Sequence, residues 1–202
     1  TQHLKTEDTK SKYMSIHINL SAQTTSKNLQ DIIQDKLESK RKTLLGAPAG
    51  KSAIIFIDDL NMPKLEQYGA QPPIELLRQT IDQGGFYDRQ KLFFINVRDT
   101  SFIAACAPPG GGRNEVTSRL LRHFHMINMP LLTEKSMYTI FSSILAAFFS
   151  EFSGAVFEMV NPVVAASLDM YDHLKKHLLP RPSTSHYTFN LRDLSKLFQG
   201  IF

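Results

Sequence analysis

A single cysteine, Cys106, is all the thiol chemistry in a chain of 202 residues. That excludes an internal disulfide framework and a multi-cysteine zinc site, and it favours reducing, cytosol-like surroundings over secretion. Long apolar runs are also missing. The longest, Ile144-Leu145-Ala146-Ala147-Phe148-Phe149, falls far short of the ~18 residues that a membrane span needs, so no membrane crossing is expected. No initiator Met and no charged-then-apolar leader opens the chain at Thr1-Gln2-His3-Leu4-Lys5, which reads as a piece of a longer polypeptide. Charge of one sign is scarce as well. The net charge is +4, and the excess lies in residues 1–51, which hold 9 Lys/Arg against 5 Asp/Glu; the rest balances at 14 to 14. No basic stripe with interleaved aromatics is present, so a nucleic-acid partner is not expected. Lys40-Arg41-Lys42 reads instead as the solvated end of a helix, where cations suit the negative C-terminus.

What is present is an ordinary globular composition, 42% hydrophobic and 21% charged, with 10 Gly and 10 Pro. A chain of this length buries roughly 70% of its unfolded surface, enough for one domain plus a small helical one. Residues 1–12 are polar and read as a linker. Residues 13–20 alternate around Met14, Ile16, Ile18 and Leu20, a strand signal. Thr24-Thr25-Ser26 offer N-caps to a helix carrying Leu29, Ile32, Ile33 and Leu37. Ala53 to Ile57 is apolar on both faces, as a buried parallel strand is, and ends in Asp58-Asp59. Pro72-Pro73 opens a helix that Gly84-Gly85 stops, and residues 86–97 read as a hairpin. Residues 101–107 predict another buried strand, with Cys106 an inert core thiol. A short helix over 116–121 and a strand over 123–129 follow.

The pattern then changes. Met137, Ile140, Phe141, Ile144, Leu145, Phe148, Phe149 and Phe152 keep helical spacing over four turns. Further helices are expected from Asn161-Pro162 and from Asn190, the latter with Asp193 three residues on. The fold class is therefore α/β: a parallel sheet with flanking helices over residues 13–130, then an all-helical portion over 131–202.

Few residues offer chemistry. Gly46-Ala47-Pro48-Ala49-Gly50-Lys51-Ser52 imitates a phosphate-binding loop, but only three residues separate its glycines, and it precedes a strand where that motif needs a helix N-terminus. It reads as a surface turn. Asp58 and Asp59 stand at the C-terminal end of a buried strand, where open α/β sheets bind ligands. In a nucleotide-hydrolysing fold the first would hold Mg²⁺ through its water shell and the second would polarise the attacking water. Pro108 to Asn114 carries three glycines that hold an anion or merely turn the chain sharply. Arg119 and Arg122 fall on one face of a short helix, where they reach a neighbour's phosphate or are simply solvated. His123 and His125 alternate on one strand face with no third ligand in view.

Taken together, Phe56 to Pro63, Tyr68 to Gln79, and Pro108 to Asn114 resemble dynein heavy chains, most closely the third AAA+ module of the axonemal type. Asn19 to Thr25 and Tyr187 to Leu194 extend the resemblance over most of residues 13–202. It implies an AAA+ P-loop NTPase-like α/β large subdomain, a helical lid, and a place in the ring of an ATP-driven microtubule motor of cilia and flagella. It implies ATP/ADP and Mg as ligands of the intact module. The implied partners are neighbouring AAA+ modules, microtubules, and intermediate and light chains, in cytoplasm, cytoskeleton and axoneme. On that template Asp58 and Asp59 are the Walker B pair, with Asp59 catalytic. Arg119, with Arg122 as a second candidate, matches an arginine finger acting in trans, and Arg192 matches the lid's sensor-2 arginine. Asp59 stands where active hydrolases have Glu, and Ala107 where a sensor-1 Asn is expected. The first strand and Walker A loop, which belong before residue 13, are missing, so the isolated chain is expected to be inactive. Two alternatives remain: a structural interaction module with a decayed nucleotide site, and a separate AAA+ remodelling enzyme.

Overall fold

The computed structural model describes residues 12–201. The expected linker over 1–12 lies outside them except for Lys12. Two compact units divide the chain, Thr1–Ile127 and Asn128–Phe202.

The first unit is built on three parallel strands. β1 (Tyr13–Asn19) runs into helix α1 (Ser26–Lys36), whose N-cap Thr25 accepts a hydrogen bond from the Asn28 N–H at 3.2 Å. That side chain satisfies one of the four orphan donors of the first turn. The helix stops at Lys36. Lys40 and Arg41 therefore do not end a helix: they belong to an exposed strand, β2 (Glu38–Arg41), which turns back on β3 (Leu44–Gly46) as a hairpin. Charged residues on every face of β2 hide it from any alternation rule. The Gly46–Ser52 turn consequently follows a strand rather than a helix.

β4 (Ser52–Asp58) pairs in parallel with β1 on one side and with β7 (Thr100–Ala104) on the other. Its Ala53, Ile55 and Ile57 are fully buried, among Leu29, Ile33 and Leu77. Each buried Ile or Leu side chain among them contributes about 1.5–3 kcal/mol relative to exposure. Between β4 and β7 lie helix α2 (Pro72–Gln83) and the hairpin β5 (Gly85–Tyr87) and β6 (Phe94–Arg98). β3 pairs in parallel with β6, so the two hairpins merge into a second, four-stranded sheet of order β2-β3-β6-β5.

Three further expectations fail in this unit. β7 is not buried on both faces: it is an edge among the described strands, and Ile103 is half exposed. Cys106 lies beyond its last paired residue and is exposed, not a core thiol. After helix α3 (Ser118–Leu121), residues 123–129 form no strand, and the apolar alternation there leaves Met126, Ile127 and Met129 facing solvent.

The second unit is helical: α4 (Glu134–Phe149), α5 (Gly154–Glu158), α6 (Val160–His177) and α7 (Leu191–Ile201). Asn161-Pro162 sit inside the first turn of α6 rather than ahead of it, because α5 runs almost directly into it. Asn190 does cap α7: its Oδ1 accepts from the Arg192 N–H at 2.8 Å while Asp193 Oδ2 accepts from the Asn190 N–H at 2.9 Å. The core gathers Phe141, Leu145, Val160, Val164, Leu168, Leu194 and Phe198, with the Phe141 and Phe198 rings stacked at 4.4 Å. No described helix is long and apolar enough to cross a membrane.

Two adjacent glycines differ in kind. Gly84 ends α2 with φ 71° in open space, whereas a Cβ on Gly85 would lie 2.0 Å from the Ile95 carbonyl oxygen across the hairpin. Gly84→Ala should cost about 1 kcal/mol, the left-handed penalty. Gly85→Ala should cost more, because the β5–β6 ladder must open. Urea unfolding of both variants measures this, and equal losses would refute the backbone clash.

Candidate functional site

Asp58 is the last residue of β4, in register with Asn19 of β1, so its carboxylate stands at the C-terminal end of the parallel sheet. Asp59 follows with φ 51°, in the left-handed region, and its N–H donates to Asp58 Oδ1 at 2.9 Å. One Asp58 oxygen is thereby oriented by the backbone, and the other keeps its lone pairs for a hard cation or that cation's water. Asp59 Oδ1 faces the Arg113 Nη2 at 3.8 Å.

The loop after this pair is braced from three directions. The Leu60 N–H donates to the Ala105 carbonyl at 3.0 Å. Asn61, almost wholly buried, donates its Nδ2 to the Ala107 carbonyl at 2.7 Å. The Pro63 carbonyl accepts from both Gln71 Nε2 at 2.6 Å and Asn114 Nδ2 at 2.8 Å, and the Asn114 N–H donates to the Asn61 carbonyl at 3.0 Å. Because each of these side-chain amides meets a carbonyl, only its NH₂ end can face it, which fixes the amide orientation. Asn61 Oδ1, Gln71 Oε1, Arg113 Nε and Thr117 Oγ1 are buried without a hydrogen-bond partner among the described residues. Sequence reasoning left Asn61 and Gln71 without a role, and it placed Arg113 and Asn114 only in a loop that holds an anion or turns the chain. No spacing rule marks them, since each meets its partner through the fold.

The glycine loop makes a turn and not a cradle. Gly110, Gly111 and Gly112 all have positive φ, and Gly110 and Arg113 exchange N–H···O=C bonds at 3.0 and 3.1 Å. With the Asn114 N–H also engaged, these three donors are unavailable to an anion. The Gly46–Ser52 turn fares no better. It enters β4 at Ser52, and a rise of about 3.3 Å per residue puts it roughly 20 Å from Asp58. Lys51 thus belongs to the opposite end of the sheet. The carboxylate pair fits Mg²⁺, and Lys51 stands too far from it to serve the same ligand.

The arginines separate. Arg119 lies on the four-residue α3 and is exposed, with no ion pair or hydrogen bond to its guanidinium among the described residues. Arg122 is the C-cap of that helix and turns to Asp82 at the end of α2, with Nη2 to Oδ1 at 3.3 Å. The backbone stays helical through Arg122, whose N–H still reaches the Ser118 carbonyl at 3.1 Å, but the two side chains differ in that only Arg122 has a carboxylate partner among the described residues. His123 lies 3.7 Å from the same Asp82 oxygen, and His125 sits in an exposed segment outside any strand. No group of three or more His, Cys, Asp or Glu able to hold a metal occurs among the described residues. Arg192, in the first turn of α7, is exposed in the second unit.

Asn61→Ala should cost about 1 kcal/mol, because the half-buried Ala107 carbonyl loses its donor. Amide exchange should quicken at Asn114, whose N–H reaches the same residue. Unchanged protection there would show that the side chain does not brace the loop.

Two family models match the chain. One, described as the P-loop containing dynein motor region, covers residues 1–132, and an AAA+ lid domain covers 163–202. Dynein axonemal heavy chain 6 of Homo sapiens is 55% identical over 189 residues, covering 94% of this chain and 4% of that protein. Dynein axonemal heavy chain 12 of Mus musculus is 46% identical over 193 residues, covering 95% and 6%. Dynein axonemal heavy chain 1 of Rattus norvegicus is 47% identical over 202 residues, covering 94% and 4%. The chain thus spans only about a twentieth of the length of these curated relatives.

Proposed function

The chain belongs to the P-loop-containing dynein motor region family, with an α/β AAA+ fold and an AAA+ lid, and on that premise we propose that it is a nucleotide-responsive module of an axonemal dynein heavy chain, the third in the motor ring. Residues 13–130 would form the large subdomain and 131–202 the lid. The parent would be an ATP-driven microtubule motor of the ciliary or flagellar axoneme. Its partners would be neighbouring AAA+ modules, microtubules, and intermediate and light chains.

The observation that carries the reading is the Asp58-Asp59 pair at the C-terminal end of β4. Asp58, oriented by the Asp59 N–H, would hold Mg²⁺ through water, and Asp59 would polarise a water. When bound, ATP with Mg²⁺ supplies the phosphoryl chemistry; what this chain adds is placement of charge. Arg192, on the lid, would answer to this module's own nucleotide. Arg119 would reach the nucleotide of the preceding module, and its exposed, unpaired guanidinium suits that task better than Arg122, which Asp82 holds. The chain alone is expected not to hydrolyse ATP, since its one Gly-Lys-Ser turn lies at the wrong end of β4.

A structural module with a decayed site is the second reading. Two observations favour it: Asp59 is a methylene shorter than Glu, and Ala107 presents only a carbonyl already bound by Asn61.

Arg119→Ala and Arg192→Ala in the intact parent motor, with nucleotide occupancy and turnover measured site by site, test the assignment. An arginine finger in trans is worth about 10³–10⁵ in rate where its site hydrolyses. Arg119→Ala should act on the preceding site and Arg192→Ala on this one. Reversal of that pattern would refute both roles, and no effect from either would favour the structural reading.

A further inference from the structure

The Asp59 carboxylate meets one charged partner among the described residues, and the contact is loose. At 3.8 Å the Arg113 Nη2 pairs with Oδ1 electrostatically but makes no hydrogen bond. On the same guanidinium Nε is buried with no acceptor among the described residues. Nε and Nη2 share one edge of the arginine fork, and such an edge grips both oxygens of a carboxylate at once. The loose pair and the orphan donor are therefore one unfinished contact. We infer that Arg113 is a positioning residue for Asp59: its Nε–Nη2 edge is a latch on which the Asp59 carboxylate closes, and while closed it holds that carboxylate from any other task.

The surrounding bonds make this a side-chain motion. The Asp59 N–H is taken by Asp58, the Arg113 N–H and carbonyl are tied to Gly110, and Asn114 fastens the Arg113 loop to the Asn61 and Pro63 carbonyls. The two backbones move as one body. Closing needs an approach of only about 1 Å to reach hydrogen-bond distance. It would satisfy the buried Nε, whose orphaned state is otherwise unfavourable. Opening would follow if an anion, such as a phosphate oxygen, competed for the same edge. The inference rests on the reading of Asp58 and Asp59 as the pair that handles a cation and its water.

Two measurements on the full chain test it. In protein labelled with ¹³C-aspartate, Arg113→Gln should shift the Asp59 carboxyl carbon signal and leave that of Asp58 in place. Arg113→Lys keeps the charge but lacks the two-donor edge, so it should not restore the wild-type signal. An unmoved Asp59 signal in Arg113→Gln, or full rescue by Lys, overturns the latch. The second measurement is Mn²⁺ titration followed by paramagnetic broadening of the same signals. Removing a unit positive charge several ångströms from the cation should tighten Mn²⁺ binding about three- to tenfold in Arg113→Gln. Equal affinity in both proteins also overturns the latch. Mn²⁺ binding that is absent in the wild type, or survives Asp58→Asn, would instead refute the carboxylate-pair reading, and the ¹³C signals would still judge the latch.

Discussion

The parallel pairing of β4 with β1 and β7 is the constraint from which the α/β unit follows. Ala53, Ile55 and Ile57 have no exposure, so neither the register nor the face of this strand can slip without moving them into water. Fixing the register fixes where the strand ends, and its last paired residue in the β1 ladder is Asp58 against Asn19. The carboxylates therefore owe their position to aliphatic packing and the backbone ladder together. Side-chain hydrogen bonds take over after the strand has ended, where Asn61, Gln71 and Asn114 stitch the departing loop to the Ala107 and Pro63 carbonyls.

Elements that bury an apolar face, or that carry a cap, were legible in the sequence. Thr25 and Asn190 announce the starts of α1 and α7 because a capping side chain must stand at a set distance from the first turn. The apolar run before Asp58 announces β4 because few other elements are apolar on both faces. Elements held by backbone pairing alone were not legible. β2 is polar along its whole length and is held by the ladder to β3, which no side-chain pattern records. The converse error occurs at residues 123–129, where alternation exists but no described strand lies alongside to pair with it. Cys106 was misjudged for a related reason, since apolar neighbours in sequence do not guarantee neighbours in space.

For the candidate site, residue types and order put Asp58 and Asp59 at a strand end, where they stand, but said nothing of what surrounds them. Asn61 meets Ala107, and Arg113 meets Asp59, across separations that only the folded β4 and β7 bring together. The helical unit shows the same limit. The stripe on α4 is wider than its own core uses: Phe141 and Leu145 are buried, while Ile140 and Ile144 remain substantially exposed. Periodicity identifies a face and does not say how much of it a given set of helices will cover.

The left-handed backbone at Asp59 bears on why this position carries the shorter acid. Asp and Asn are enriched in that conformation because their short polar side chains suit it, and Glu has no such advantage. An exchange of Asp for Glu here would therefore trade one penalty for another, gaining a methylene of reach while loading the turn with a residue it accommodates less readily. The choice of carboxylate and the shape of the main chain are one coupled variable. A lineage could lengthen the side chain at low cost only after the turn itself had changed.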